Sequence, residues 1–138
     1  MSAGNTAVLT DDEVAVRDVA TRIMKFWAAN DADGFAAIFT SDGTLIGDSY
    51  MKGREGIREF MAAGFAGPYA GTRVHVEPLD VRFLSDDIAL LVTRGSVLLE
   101  GESGIVPERG FLATSTVVRQ EGRWQIAAYQ NSKGTADI

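Results

Sequence analysis

The chain has no cysteine, and His75 is the single histidine among its 138 residues. The absence of cysteine excludes disulfide bridges, thiol catalysis and cysteine metal ligands. With one histidine and no paired His spacing, carboxylates alone would have to bind a metal ion. We therefore expect no metal site and no cofactor. A glycine-rich phosphate loop is also missing, because Gly101 and Gly104 lack a strand–turn–helix context and a following lysine.

Basic residues are few, with 13 Lys and Arg against 19 Asp and Glu, which gives a net charge of −6. This balance argues against nucleic acid and against anionic membrane surfaces, because both need a basic protein surface. No apolar run approaches the ~20 residues of a membrane span. The first fifteen residues also lack the pattern of a signal peptide. We therefore expect a soluble, cytoplasmic protein with no nucleic-acid or membrane partner.

Repeats, linkers and low-complexity tracts are not evident, and the composition is 46% hydrophobic and 23% charged. This is an ordinary globular mixture at a length that fits one hydrophobic core. We predict a single domain over residues 1–138, with its core at about 11–131.

Helix signals dominate the first half of the chain. The segment 10–13 reads as a capping box, and an apolar stripe at helical spacing continues from it to about Asn30. Asp31 opens a short second helix, and a third is predicted over 54–66. Between them, 41–43 reads as a turn that precedes short strands at 44–47 and at Tyr50-Met51.

Strand patterns fill the second half, with long strands predicted at 73–83, 88–99, 111–119 and 124–131. The apolar set of the first changes phase near Glu77-Pro78, which predicts a β-bulge that bends the sheet. The second is apolar on both faces and therefore indicates a central strand. Helices followed by antiparallel strands define an α+β protein. We predict a curved antiparallel sheet wrapped around three amino-terminal helices, as a cone with a pocket.

The last strand is the most informative segment. A tight turn at Glu121-Gly122 leads into it, and side chains alternate along a strand. Trp124, Ile126 and Gln130 are then predicted to share one face. Such a face, apolar at one end and amide-bearing at the other, suits the wall of a half-buried pocket.

Three segments carry a resemblance to a known family: "FWAANDADGFAAIFTSDGTLIGD", "KGREGIREFM" and "GRWQIAAYQNS". The chain resembles nuclear-transport-factor-2-like (NTF2-like) cone domains. It is most similar to the small SnoaL-like branch, which includes the SgcJ/EcaC-type proteins found beside polyketide and enediyne gene sets. The resemblance implies a mixed curved sheet, a homodimer packed through the outer sheet face, and a pocket between sheet and helices. The family includes isomerases, cyclases, epoxide hydrolases, dehydratases and non-catalytic binders, and fold alone does not choose among these.

The resemblance also implies where a catalytic base would lie. In isomerase-like members a carboxylate on the first short strand follows a Phe-x-x-Asp turn, which 39–42 matches here. The base position then falls on Gly47, and Asp48 comes one residue later. Since a slip of one residue reverses the strand face, Asp48 is a candidate base only if a local bulge turns it inward. The alternative is a solvated carboxylate at a strand end.

His75 and Arg94 are the other charged or titratable candidates. His75 shares the polar side of its strand with Arg73 and Glu77, so it faces solvent, a dimer interface or a polar pocket. It is the second candidate catalytic residue. Arg94 interrupts an apolar strand and needs a partner, either as a ligand anchor or in a structural ion pair at the dimer interface.

Aromatic side chains suggest a pocket for a flat, apolar ligand. The ligand-binding residues that we predict are Trp27, Tyr50, Phe60, Phe65, Tyr69, Arg94, Phe111, Trp124 and Gln130. The leading hypothesis is a homodimer that binds a small, polyketide-like molecule. One alternative is a proton-transfer enzyme of the isomerase, cyclase or hydrolase type that acts on a polyketide or other carbonyl compound. Another is a non-catalytic association module.

Overall fold

Three α-helices and six strands form the part of the chain that the structure describes, residues 9–134 of a computed structural model. The helices are α1 (Asp11–Ala28), α2 (Ala32–Ala36) and α3 (Gly53–Phe65), and a single 3₁₀ turn spans Pro107–Arg109. The strands are β1 (Phe39–Ile46), β2 (Tyr50–Lys52), β3 (Arg73–Ser85), β4 (Ile88–Leu98), β5 (Gly110–Gln120) and β6 (Arg123–Lys133). No helix within these residues has both the length and the apolar character needed to cross a membrane.

The predicted helix starts are confirmed by their hydrogen bonds. Thr10 Oγ1 accepts from the amide of Glu13 at 3.1 Å, and Glu13 Oε1 accepts from the amide of Thr10 at 3.1 Å. This reciprocal pair satisfies two of the free amides at the start of α1. Asp31 caps α2 in the same way, since its Oδ1 accepts from the amide of Gly34 at 2.9 Å.

The six strands form one mixed sheet in the order β2-β1-β6-β5-β4-β3. β1 and β6 run parallel, and the other neighbours run antiparallel. The register of β3 with β4 shifts between Pro78 and Asp80, which confirms the predicted bulge and makes Leu79 the extra residue. β4 lies between β3 and β5, as its two apolar faces predict. The sheet bends around the helices, and the fold is an α+β cone.

The predicted turn at 41–43 is wrong, because this segment lies inside β1. The register of β1 with β6 shifts between Phe39 and Thr44, so the extra residues bulge while the strand continues. Arg54, at the start of α3, donates from Nε and Nη2 to the Phe39 carbonyl at 3.0 and 2.7 Å. A side chain thus satisfies a carbonyl at the irregular start of the strand.

The prediction that Trp124 and Gln130 share one face of β6 is also wrong. Thr116 pairs with Ala128 and Val117 pairs with Ile126, so Ala127 is an extra residue in the ladder. A single extra residue reverses the alternation beyond it. Consequently Trp124 and Ile126 are buried, whereas Ala128 and Gln130 are exposed.

The hydrophobic core lies between the helices and the concave face of the sheet. Val16 and Val19 of α1, Ile57 of α3, Leu91 of β4 and Val117 of β5 are all completely buried. These side chains belong to one continuous hydrophobic cluster, and a cavity remains between the helices and the sheet.

Candidate functional site

A cavity of about 790 Å³ lies between the helices and the concave face of the sheet. Its volume falls within the ~300–1,000 Å³ that is typical of small-molecule sites. All three helices, the loop after α3 and all six strands of the sheet contribute to its lining. The aromatic residues in that lining are Trp27, Phe35, Phe39, Phe60, Tyr69, Phe111 and Tyr129.

The indole of Trp27 is fixed on one side of the cavity by ring contacts and a hydrogen bond. Its ring centroid lies 5.0 Å from that of Tyr69 and 5.6 Å from that of Phe65, the second pair edge to face at 83°. Nε1 donates to Thr72 Oγ1 at 2.9 Å, and that hydroxyl donates to the Tyr69 carbonyl at 2.8 Å. The buried polar groups are therefore paired, and the aromatic wall has one defined arrangement.

Polar side chains reach the cavity from the strands. The pairing of β4, β5 and β6 places Thr93, Ala113 and Asn131 in one row across the concave face. Asn131 Nδ2 donates to the Tyr129 hydroxyl at 3.2 Å. Burial raises the pKa of Tyr129 to about 12, against a smaller lowering by the hydrogen bond from Asn131. The Tyr129 phenol is therefore protonated at neutral pH.

Gly47 continues this row on the side of β1. A Cβ atom at Gly47 would lie 3.6 Å from Asn131 Oδ1, an ordinary contact distance. Gly47 lines the cavity, so the position that the isomerase-like pattern gives to a base carries no side chain. The space that a side chain would fill is left open beside Asn131.

The mouth of the cavity carries both signs of charge. Asp48 and Glu108 line it together with Arg109 and Lys133, and Asp48 is exposed in the bend after β1. Arg109 donates to the Val97 carbonyl at 3.0 Å and pairs with Glu102. The ion pair joins two parts of the 99–109 loop, and the hydrogen bond to Val97 ties the loop to β4.

Five predicted site residues line the cavity: Trp27, Asp48, Phe60, Tyr69 and Phe111. Two others contact neighbours elsewhere or face away from it. Phe65 is buried behind Trp27, and Tyr50 is exposed on β2. These two side chains are absent from the lining that the described residues form.

Trp124 lies outside the cavity, in a correction to the predicted lining. Its ring is 5% exposed, with its centroid 5.9 Å from that of Phe83 and 5.2 Å from the guanidinium carbon of Arg119. It packs where β6 begins, away from the Asn131 end of the strand. Gln130 is exposed on the opposite face, because the bulge at Ala127 reverses the alternation.

His75 and Arg94 also lie outside the cavity, on the outer face of the sheet, where both contact Glu77. His75 Nε2 is 2.6 Å from Glu77 Oε2, and Arg94 Nε donates to Glu77 Oε1 at 2.8 Å. The hydrogen bond from His75, followed by that from Arg94, lowers the pKa of the Glu77 carboxyl. Arg94 therefore finds its partner on the neighbouring strand, at a position directly opposite in the register.

Sequence reasoning missed Tyr129, Asn131 and Thr93 as residues of this site. The signal that would have found the first two is the bulge at Ala127. Nothing in the local pattern marks it, because two small alanines stand where the phase changes. Within residues 9–134, no three acidic or histidine side chains cluster in a way that could hold a metal ion.

Comparisons with known proteins agree with the fold. A family model described as "SnoaL-like domain" matches residues 9–130. A search of curated proteins gives no significant match. A domain of unknown function with a cystatin-like fold from Nostoc punctiforme is 28% identical, with a TM-score of 0.83 over 94% of this chain and 82% of that one.

Two further solved structures show likeness of fold alone, because their identity is low. An NTF2-like protein from Novosphingobium aromaticivorans is 20% identical, with a TM-score of 0.72 over 88% of this chain and 80% of that one. A ketosteroid isomerase-like protein from Erwinia carotovora atroseptica is 17% identical, with a TM-score of 0.72 over 93% of this chain and all (100%) of that one.

Proposed function

Because the chain belongs to the SnoaL-like domain family, we propose that its cone binds a small, largely apolar, polyketide-like molecule. The observation that carries this proposal is the cavity of about 790 Å³ with aromatic rings on several sides. Trp27 lines it from α1, Tyr69 lines it from the loop after α3, and Phe111 lines it from β5. Flat apolar molecules gain both burial and ring contacts in such a site.

Binding is better supported than catalysis, because the deep part of the cavity offers no carboxylate among the described residues. The position that would hold a base is Gly47, and the two carboxylates of the lining, Asp48 and Glu108, lie at the mouth. A general base must come within hydrogen-bond reach of the proton that it removes. The proton-transfer alternative therefore depends on Asp48 or Glu108 reaching a ligand that lies near the mouth.

The association-module alternative is less favoured, since side chains would then be expected to fill the cone.

The outer face of the sheet supports a homodimer. Leu90 and Val92 on β4 and Leu112 and Val118 on β5 alternate with the inward residues and are half-buried. The helices cover only the concave face, so a second copy would cover these apolar side chains. Sedimentation at micromolar concentration tests this, and a monomer would contradict it.

Calorimetric titration with flat aromatic ketones tests the binding proposal. We expect saturable binding, with one molecule per chain, and no exchange of the ketone α-protons for deuterium above the solvent rate. Binding that is lost when a larger side chain blocks the cavity, as in Thr93→Phe at a lining position, would support the site. The absence of binding across the whole series would refute the proposal. Exchange that is fast in the native protein and lost in Asp48→Asn would favour the enzyme alternative.

A further inference from the structure

We propose that Tyr129 and Asn131 form an oxygen anchor in the cavity, where the Tyr129 hydroxyl donates a hydrogen bond to a carbonyl oxygen of the ligand. This inference rests on the proposed function, since it names the ligand chemistry that the same cavity would take. The ligand class that follows is a flat, apolar ketone whose oxygen enters first.

The anchor is a product of the β6 bulge. The extra residue Ala127 shifts the alternation, so that Tyr129 and Asn131 line the cavity although Trp124 and Ile126 also face inward. Tyr129 is paired with Leu45 on β1 and with Ser115 on β5, which holds it in the interior of the sheet. The hydroxyl therefore sits on a rigid element, as a binding group requires.

The hydrogen bond between Asn131 and Tyr129 determines which donor remains for a ligand. Asn131 Nδ2 donates to the Tyr129 hydroxyl at 3.2 Å, so the phenol oxygen acts as acceptor and keeps its own proton for another partner. Burial raises the pKa of Tyr129 to about 12, and the proton is present throughout the physiological range. An acceptor that enters the cavity would meet one protonated donor whose oxygen is already polarised by an amide.

Space for the oxygen comes from the small neighbours of Asn131. Ala113 pairs with it on β5, and Gly47 lies on its other side in the bend after β1, where a Cβ atom would lie 3.6 Å from Asn131 Oδ1. Aromatic rings line other parts of the cavity, with Trp27 and Phe111 among them. A buried hydroxyl donor at a largely apolar site favours a ligand that carries an acceptor on a hydrocarbon frame, because an unpaired buried polar group is costly.

The experiment compares two ligands of the same shape, 2-acetylnaphthalene and 2-isopropenylnaphthalene, in which a C=CH2 group replaces the C=O group. Their dissociation constants are measured by calorimetry for the native protein and for Tyr129→Phe. Tyr50→Phe is the matched control, because that tyrosine is exposed and lies outside the cavity lining.

We expect the native protein to bind the ketone about three- to tenfold more tightly than the hydrocarbon, as one net hydrogen bond provides. Tyr129→Phe should remove this preference by weakening the ketone alone, and Tyr50→Phe should retain it. The infrared carbonyl stretch of the bound ketone should lie at lower frequency in the native protein than in Tyr129→Phe. A merely structural role for Tyr129 would weaken both ligands equally and leave the stretch unchanged.

The outcomes separate the two proposals. If the native protein binds neither ligand, the proposed function fails and the anchor fails with it. If it binds both equally and the carbonyl stretch is not lowered, the anchor is refuted while the proposed function stands. Should Tyr129→Phe not fold, the carbonyl frequency in the native protein and the ketone preference of Asn131→Ala test the anchor instead. A native preference that Asn131→Ala reduces supports the anchor, and a preference that this variant leaves unchanged contradicts the role of the amide.

Discussion

The two tryptophans of the chain offer a direct test of where the cavity lies, since they occupy different places in the cone. Trp27 lines the cavity, and Trp124 is buried against Phe83 and Arg119 outside it. Replacing each in turn by phenylalanine leaves one indole in each variant. Sequence reasoning predicts that both tryptophans bind the ligand, so a difference between the two variants tests the tertiary structure.

The expected magnitudes follow from the contacts that each indole loses. Trp124→Phe gives up the ring contact with Arg119, worth ~0.5–1 kcal/mol, and leaves a small void, so the free energy of unfolding should fall by about 1–3 kcal/mol. The ligand dissociation constant should stay within about twofold, because no cavity surface changes.

Trp27→Phe should change both quantities. It removes the donor to Thr72 at 2.9 Å, which lowers the free energy of unfolding by about 0.5–1.5 kcal/mol. It also removes a benzo ring from the cavity wall. If that ring gives roughly 40 Å² of contact, the loss is about 1 kcal/mol, or about fivefold in the dissociation constant.

Unfolding in guanidinium chloride followed by circular dichroism measures the stability of each variant, and calorimetry with 2-acetylnaphthalene measures affinity. Indole fluorescence adds an independent readout. The ligand should change the emission of Trp124→Phe, whose remaining indole is Trp27, far more than that of Trp27→Phe. Equal losses of affinity in the two variants, or a stronger response from Trp124, would refute the placement of the cavity.

Three further predictions concern single side chains. Thr10→Ala should lower the free energy of unfolding by about 1 kcal/mol in chemical denaturation, because the hydroxyl caps α1. Thr10→Ser keeps a capping hydroxyl and should keep the native free energy of unfolding. In the folded protein the hydrogen bond from His75 is the largest cause that lowers the pKa of Glu77. The ionised carboxylate therefore stabilises the fold at pH values above the ordinary carboxyl pKa of about 4.3, and this contribution is lost as the pH falls through the lowered pKa of the folded state. The stability gap between the native protein and Glu77→Gln should therefore close on acidification, and a gap that widens would contradict this. Gly47→Asp should fold, since its Cβ meets Asn131 at 3.6 Å, but should bind the ketone roughly tenfold more weakly because it brings a charge into an apolar cavity. An unchanged dissociation constant would contradict this placement.

Much of the fold follows from the sequence by itself, because the signals involved are local. The capping box at Thr10, the cap at Asp31 and the turn at Glu121-Gly122 act within a few residues. Glu121 and Gly122 both adopt positive φ, 54° and 76°, as the tight hairpin turn requires. The phase change near Pro78 was readable because apolar side chains stand on both sides of it. These features yield the α+β class, the approximate bounds of the four long strands and the bend of the sheet, but not the bounds of β1.

Only the tertiary structure decided which side chains meet in the cavity. The bulges within β1 and at Ala127 are set by pairing with neighbouring strands, and an extra residue between small or polar side chains leaves no trace in an apolar pattern. Arg94 likewise found its partner through the register of β3 with β4. A slip of one residue exchanges the inner and outer faces of a strand. The chain therefore encodes its cone in local patterns, while the lining of the cone depends on contacts between residues far apart in sequence.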